Sequence, residues 1–214
     1  MTFNVGIGST LIASYTDDGI PYLWKSGDIT TTPSNETKIT DDGTQSGTGF
    51  GDSVAVGSCR IVVGDSRSDV GSNTDQGSAY IFDLNGNQLG IITASDGVAY
   101  DNFGWSVAVG CGVIVVGVPG STWSEADITH AEIAYIYDLD GNNEVKISHS
   151  DRRDSGGSVA KDAFGYSVAA GCGRIVVGAP LNYGPDRNSG SAYIFNLPED
   201  SNTYWERVLE AYRY

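Results

Sequence analysis

The chain has 214 residues, 12 Lys and Arg against 27 Asp and Glu, a formal net charge of −15 and a sequence pI of about 4.2. A field of that sign repels phosphate backbones and anionic lipid head groups, so no nucleic-acid partner is expected; its plainer meaning is a soluble, exposed surface. No stretch approaches the ~18 consecutive apolar residues of a membrane-spanning helix, so no membrane insertion is expected, and the length suits one large all-β domain.

The opening segment, MTFNVGIGSTLIASY, has no Lys or Arg and no continuous apolar run, so it does not read as a secretory leader. Val5-Gly6, then Thr10 to Ala13, then Pro21 to Trp24 read as three short strands of a first unit, with a short loop at Asp17-Asp18-Gly19. A polar connector from Thr40 to Gly49 leads to Phe50 and the stretch FGDSVAVGSCRIVVGDSRSDVGSNTDQGSAYIFDL. After a second connector, Ala94 to Asn102, the pattern returns at Phe103 as FGWSVAVGCGVIVVGVPGSTWSEADITHAEIAYIYDL. It returns again at Phe164, after a longer connector from Ser150 to Ala163, as FGYSVAAGCGRIVVGAPLNYGPDRNSGSAYIFNL.

Each complete unit reads as four strands. SVAVG places Val54 and Val56 on one face, and RIVVG is nearly continuous apolar, as expected for a strand covered on both sides. In SAYIF, Tyr80 and Phe82 alternate against Ala79 and Ile81. The fourth strand follows an Asx-Gly turn, at Asn85-Gly86 and at Asp140-Gly141, the strongest short hairpin signal. In the last unit Trp205 to Ala211 fills the fourth-strand slot, with a short helix as the alternative reading.

The units align the first segment with the others: Val5-Gly6 with Val56-Gly57, Thr10 to Ala13 with Arg60 to Val63, and Pro21 to Trp24 with Ala79 to Phe82. On that alignment the opening Phe-Gly of the first unit falls before Met1. A repeat of roughly 50 residues with several strands each points to a propeller or solenoid array. The expected architecture is a single all-β propeller domain over 1–214, with four four-stranded antiparallel blades at about 1–40, 41–95, 96–150 and 151–214. Four blades closing into a small disc is preferred; the alternative is an open arc whose end faces another chain covers.

The phrases Phe-Gly, SVA, RIVVGAP and GSAYIF resemble the FG-GAP repeat, the blade unit of integrin-α-type β-propellers, and the similar arrays of phage and bacterial surface proteins. The match is fullest at Phe164-Gly165 with Gly178-Ala179-Pro180 and weakens to Gly117-Val118-Pro119, Gly64-Asp65 and Ala13-Ser14 in earlier units. The phenylalanine is expected to wedge between blades, its glycine to allow close backbone approach, and the proline to end pairing of the second strand. The resemblance implies a calcium loop between first and second strands, but that position holds Gly57-Ser58-Cys59-Arg60, Gly110-Cys111-Gly112 and Gly171-Cys172-Gly173-Arg174, without a carboxylate. The calcium ligands therefore do not carry over. The nearest substitute is the next loop, where Asp65, Asp69, Asn73 and Asp75 supply oxygens for a hard cation, although an ordinary solvated loop has the same composition.

The three cysteines fall in one turn, Cys111 and Cys172 at the same repeat position and Cys59 one residue later, and are expected to be small, buried and reduced, with neighbouring turns more than ~7 Å apart. His130 and His149 are the only histidines, both in loops peculiar to one unit and read as surface decoration; no HExxH, GxSxG or P-loop pattern is present. No enzyme activity is therefore expected, a glycan-degrading enzyme being the weakest alternative. Binding is expected where the repeat fails: Trp123 and His130 in one long loop, Tyr183 in the corresponding loop of the last unit, and the basic pair Arg152-Arg153. The functional expectation is a non-enzymatic structural or adhesive propeller: an accessory tail, fibre or capsid-surface protein of a bacteriophage. It would contact other virion proteins, itself or a host glycan. The alternative is an extracellular bacterial adhesin or matrix module.

Overall fold

In the computed structural model the described residues are 36–43, 49–120, 132–150, 162–181 and 189–197, with the backbone of strands at 6–7, 11–15 and 21–25. Every described element is a strand. The first sheet is β1 (Gly6–Ile7), β2 (Leu11–Tyr15), β3 (Pro21–Lys25) and β4 (Thr37–Lys38). The second is β5 (Phe50–Gly57), β6 (Arg60–Asp65), β7 (Ser78–Phe82) and β8 (Gln88–Ile92). The third is β9 (Ser106–Gly110), β10 (Val113–Val118), β11 (Ile133–Asp138) and β12 (Val145–Ile147). The fourth has three described strands, β13 (Ser167–Gly171), β14 (Arg174–Ala179) and β15 (Ser191–Asn196). In each sheet the strands follow chain order and pair antiparallel with their neighbours.

Turn chemistry explains this meander. Between first and second strands only two residues remain, and both have positive φ: Ser58 and Cys59, Cys111 and Gly112, Cys172 and Gly173. That is the two-residue hairpin turn whose twist matches the strands. Between third and fourth strands an aspartate organises the turn. Asp83 Oδ1 accepts the N–H groups of Asn85 and Asn87 at 2.8 and 2.9 Å, and Asp138 Oδ1 accepts those of Asp140 and Asn142 at 2.9 and 2.8 Å. The Asn87 side chain, whose Nδ2–H donates to Asp83 Oδ2 at 2.8 Å, and then the Asn87 N–H hold the Asp83 carboxyl below its ordinary pKa.

The cysteines sit in the first of these turns, so they are exposed rather than buried as expected, although all three are free. Neighbouring turns touch through hydrogen bonds: Gly112 N–H donates to Ser58 Oγ and Gly173 N–H to Cys111 Sγ, each at 3.3 Å. The register of the first sheet corrects the sequence alignment. Ile7 pairs with Ile12 and Ile12 with Trp24, as Val56 pairs with Ile61 and Ile61 with Phe82. Ile7, not Val5, therefore takes the place of Val56, and Leu11, not Thr10, that of Arg60.

Successive sheets stack through their first strands, β5 on β1 and β2, β9 on β5, and β13 on β9. Alternation gives each sheet two different faces. One carries Val54, Val56, Ile61, Val63, Tyr80 and Phe82 in the second sheet and looks back toward the first. The other carries Ala55, Val62, Ala79 and Ile81, which pack with Val107, Val109, Ile114, Val116, Tyr135 and Tyr137 of the third sheet. The same interface recurs between Ala108, Val115, Ala134 and Ile136 and the fourth sheet. The middle strands β6 and β10 are accordingly buried almost throughout, as their unbroken apolar sequences require.

The fourth sheet departs from this. In β13, β14 and β15 covered residues alternate with uncovered ones, because only the side toward the third sheet is packed. Ile194 is 65% exposed on the other side. Among the described residues the sheets do not close into the preferred small disc: the outer face of the fourth sheet's three described strands is uncovered.

Candidate functional site

The Phe-Gly pair builds the end of the molecule opposite the cysteine turns. In the second, third and fourth units a four-residue turn closes through one backbone bond: Asp52 N–H to Gly49 O at 2.8 Å, Trp105 N–H to Asn102 O at 3.1 Å and Tyr166 N–H to Ala163 O at 3.1 Å. Its third residue is the glycine, with φ of 95° at Gly51 and 91° at Gly104 and Gly165. A type II turn requires this conformation and glycine adopts it without strain. The second residue is the phenylalanine, which turns inward. Phe103 and Phe164 are fully buried and meet the aromatic pair of their own third strand edge-on or tilted, Phe103 at 5.5 Å from Tyr135 and Phe164 at 5.4 Å from Tyr193. The expected wedge is thus present between second and third and between third and fourth sheets.

The fourth turn residue is presented outward, and it differs in every unit: Asp52, Trp105, Tyr166. Trp105 and Tyr166, on adjacent blades, are 37% and 45% exposed with ring centroids 5.6 Å apart and planes tilted by 51°. Together they make an aromatic shelf across the third and fourth blades. Tyr100 is also exposed on the connector leading to this end. The connector is held in place by backbone bonds from Tyr100, Asn102 and Phe103 N–H to the carbonyls of Thr74, Asp75 and Gln76 at 2.8, 3.1 and 2.8 Å.

On the second blade the same end is polar. Asp52 accepts Ser66 Oγ–H at 2.5 Å and lies 3.4 Å from the Arg67 guanidinium. Asp65 is buried behind them and accepts Gly49 N–H at 3.1 Å. Burial first, then the Asp52 carboxylate, pushes its pKa up to about 6, against the lowering effect of the Gly49 N–H.

The four residues expected as an alternative cation loop are engaged separately. Asp65 points inward as just described, Asp69 Oδ1 accepts Asp75 N–H at 3.0 Å, and Asn73 Nδ2 donates to Gln76 Oε1 at 2.7 Å and Gly97 O at 3.1 Å. Among the described residues no three His, Cys, Asp or Glu side chains are grouped to hold a metal ion. Trp123, His130, Arg152, Arg153 and Tyr183 lie outside the described residues.

His149 is a correction. It is buried at 4% exposure, with its ring 5.3 Å from both Phe164 and Tyr193 and Nε2 3.7 Å from the Asp162 carboxylate. It follows β12 at the register position of Ala94, on the face that the next blade covers, and so serves packing instead of decorating the surface. Nearby, Glu132 has φ 66° where the second unit has Gly77, and its carboxylate accepts the N–H groups of Asp162 and, at 3.1 Å, Ala163.

Trp105 and Tyr166 are what sequence reading missed. Sequence reasoning points to the places where the repeat breaks, whereas the shelf lies inside its most regular phrase. The signal is the third letter of FGDSVA, FGWSVA and FGYSVA, the one that varies while its neighbours repeat.

No curated protein matches the chain. Among solved structures, the crystal structure of the computationally designed Ika4 protein is similar at 14% identity and a TM-score of 0.47, covering 92% of each chain. The FG-GAP repeat model matches residues 33–82, 87–137 and 143–195. Each matched stretch begins at or just before the outer strand of one sheet and ends in the third strand of the next, so the sequence unit is offset by one strand from the structural blade. With three consecutive matches laid over a stack of antiparallel sheets, the chain belongs to the FG-GAP repeat family and is built as a propeller-type array of its blades.

Proposed function

We propose that this chain is a non-enzymatic binding propeller, an accessory protein on the tail, fibre or capsid surface of a bacteriophage, whose loop end contacts a host glycan or a neighbouring virion protein. FG-GAP repeats point to a protein-interaction module, and the observation that carries the present reading is the Trp105–Tyr166 shelf. Two exposed rings held on glycine turns of a rigid scaffold bring large contact area at little entropic cost, and their faces suit sugar rings or apolar side chains. The polar group of Asp52, Ser66 and Arg67 on the second blade adds hydrogen-bonding capacity for hydroxyls at the same end. Three free, exposed thiols agree with folding in a reducing cytoplasm before release by lysis.

Two measurements test this. Mass spectrometry of purified particles is expected to find the chain, and its absence there refutes the virion assignment. Purified protein is expected to adsorb to host cells or to a glycan panel, and Trp105→Ala with Tyr166→Ala to abolish adsorption without lowering the melting temperature. Adsorption unchanged in the double variant refutes the shelf as the contact surface.

A further inference from the structure

The open face of the fourth blade is not an arbitrary apolar surface. Its residues Ala169, Val176, Ala192 and Ile194 repeat, type for type and register for register, the sets Ala55, Val62, Ala79, Ile81 and Ala108, Val115, Ala134, Ile136. Those two sets are each covered by the following blade; the fourth is exposed or half-exposed.

The backbone carries the same message. A Cβ on Gly57 or Gly110 would lie 2.5 Å from a carbonyl oxygen of the following blade, Val109 O or Ala170 O. A Cβ on Gly64 or Gly117 would lie 2.1 or 2.0 Å from Gly104 O or Gly165 O of the following blade. Glycine is required at these places because the next blade comes that close. In the fourth blade the equivalent Gly171 has nothing within 4 Å, and Gly178 has only its own blade's Ser167. Ser53 and Ser106 hydroxyls donate to Gly104 O and Gly165 O, both at 2.8 Å, and Ser167 stands exposed at that position. The fourth blade thus has the apolar set, the two close-approach glycines and the serine that elsewhere receive another blade.

The complementary face belongs to the other end of the array. Where a blade looks back at its predecessor, the third presents Val109, Ile114, Tyr135 and Tyr137. By strand pairing the first blade has Ile7, Ile12, Tyr22 and Trp24 at those register positions. Within one chain the first blade does not reach the fourth, since Ile194 remains 65% exposed. We propose that the fourth blade of one chain docks on the first blade of a second copy, and reciprocally, so that two chains close one ring of eight blades. The contact is head to tail, and a half-turn about the ring axis closes it with both end faces covered in both copies. Gly171 then opposes the carbonyl of Ile7 of the second copy, as Gly110 opposes that of Ala170. The inference stands apart from whatever the loop end binds.

Light scattering coupled to gel filtration, from low micromolar concentration upward, reads the outcome. The wild-type chain is expected at twice 22.5 kDa. Ile194→Asp puts a charge on a face that is exposed in the single chain, so folding persists while the pairing constant weakens by roughly a hundredfold or more. Gly171→Val is a second variant, with open space around it in the single chain and a blocked approach in the pair. Both are expected as folded monomers, with wild-type circular dichroism. A wild-type chain that stays monomeric across the concentration range overturns the proposal, as does a trimer or open polymer. So does a dimer whose mass neither variant changes. Should one variant misfold, the other and the wild-type mass still decide.

Discussion

Replacing Gly117 by alanine isolates the close contact on which blade stacking depends. Gly117 lies within β10 and does not have positive φ, so alanine carries no left-handed backbone penalty there. The new methyl would lie 2.0 Å from Gly165 O and 2.3 Å from Ser106 Oγ. Both neighbours are part of one latch, because Ser106 Oγ–H donates to Gly165 O at 2.8 Å. The third and fourth blades must move apart by more than an ångström to clear the Gly165 carbonyl, and the serine must rotate away, which leaves that carbonyl unpaired. Overpacking of a rigid interior costs about 1–3 kcal/mol, and a lost buried hydrogen bond about 1 kcal/mol more. The expected loss is about 2–4 kcal/mol, a large share of the ~5–15 kcal/mol that holds an ordinary domain. Two controls separate this from generic glycine effects. Gly112 has φ +80° and nothing within 4 Å, so Gly112→Ala carries only the left-handed cost of about 1–2 kcal/mol. Gly90 has open space and no positive φ, so Gly90→Ala is expected to be neutral or stabilising by about 0.4–1 kcal/mol. Urea denaturation, with midpoint and slope fitted separately, gives all three. A Gly117→Ala loss within about 0.5 kcal/mol of Gly90→Ala would refute the close-approach argument.

Ser106→Ala removes the latch hydroxyl without adding volume and is expected to cost about 1–2 kcal/mol by the same denaturation assay; no loss means that the Gly165 carbonyl finds another partner. Asp65 has its folded pKa raised from 3.8 to about 6, so the folded state holds its proton more tightly than the unfolded one. Its favourable contribution is present below about pH 4 and is lost as pH rises through about 6, by at most on the order of 3 kcal/mol. Asp65→Asn keeps an oxygen for Gly49 N–H, so its stability relative to wild type should climb between pH 4 and 7; a flat difference contradicts the assignment. The native chain should titrate three thiols with a small disulfide reagent without denaturant, since Cys59, Cys111 and Cys172 are all free and exposed, and fewer than three reactive groups would place a cysteine inside.

Much of this fold could be read from the chain because each strand announces itself three times. The middle strand RIVVG reads as covered on both sides, and β6 and β10 are. The Asx-Gly hairpins follow from aspartates that bind their own turn, a local interaction that needs no knowledge of the rest. Where expectation and structure part, the reasons are the geometry of a turn or the way neighbouring units meet. The turn cysteines were placed inside because cysteine is commonly a buried residue, yet a two-residue hairpin turn projects its residues from the sheet. His149 stands in a loop peculiar to one unit and so reads as a surface residue, yet the fourth blade lies over that position. Whether four units close a disc or form an open arc is not written in the repeat, because sequence periodicity contains no angle between blades.

The candidate site has the same logic at a finer level. In the Phe-Gly phrase two residues are fixed by physics: one must fill the space between blades and the next must adopt positive φ. The residue after them is subject to neither demand. It is the fourth position of a type II turn, aimed outward from the space between blades, so its side chain can change from Asp52 to Trp105 to Tyr166 without disturbing the stack. Repetition around a position and variation at it are therefore two readings of one constraint. Where scaffold needs stop at a single outward-facing residue, recognition can be altered blade by blade. An adhesive function is then searched for most profitably at that letter of each repeat, before the long irregular loops.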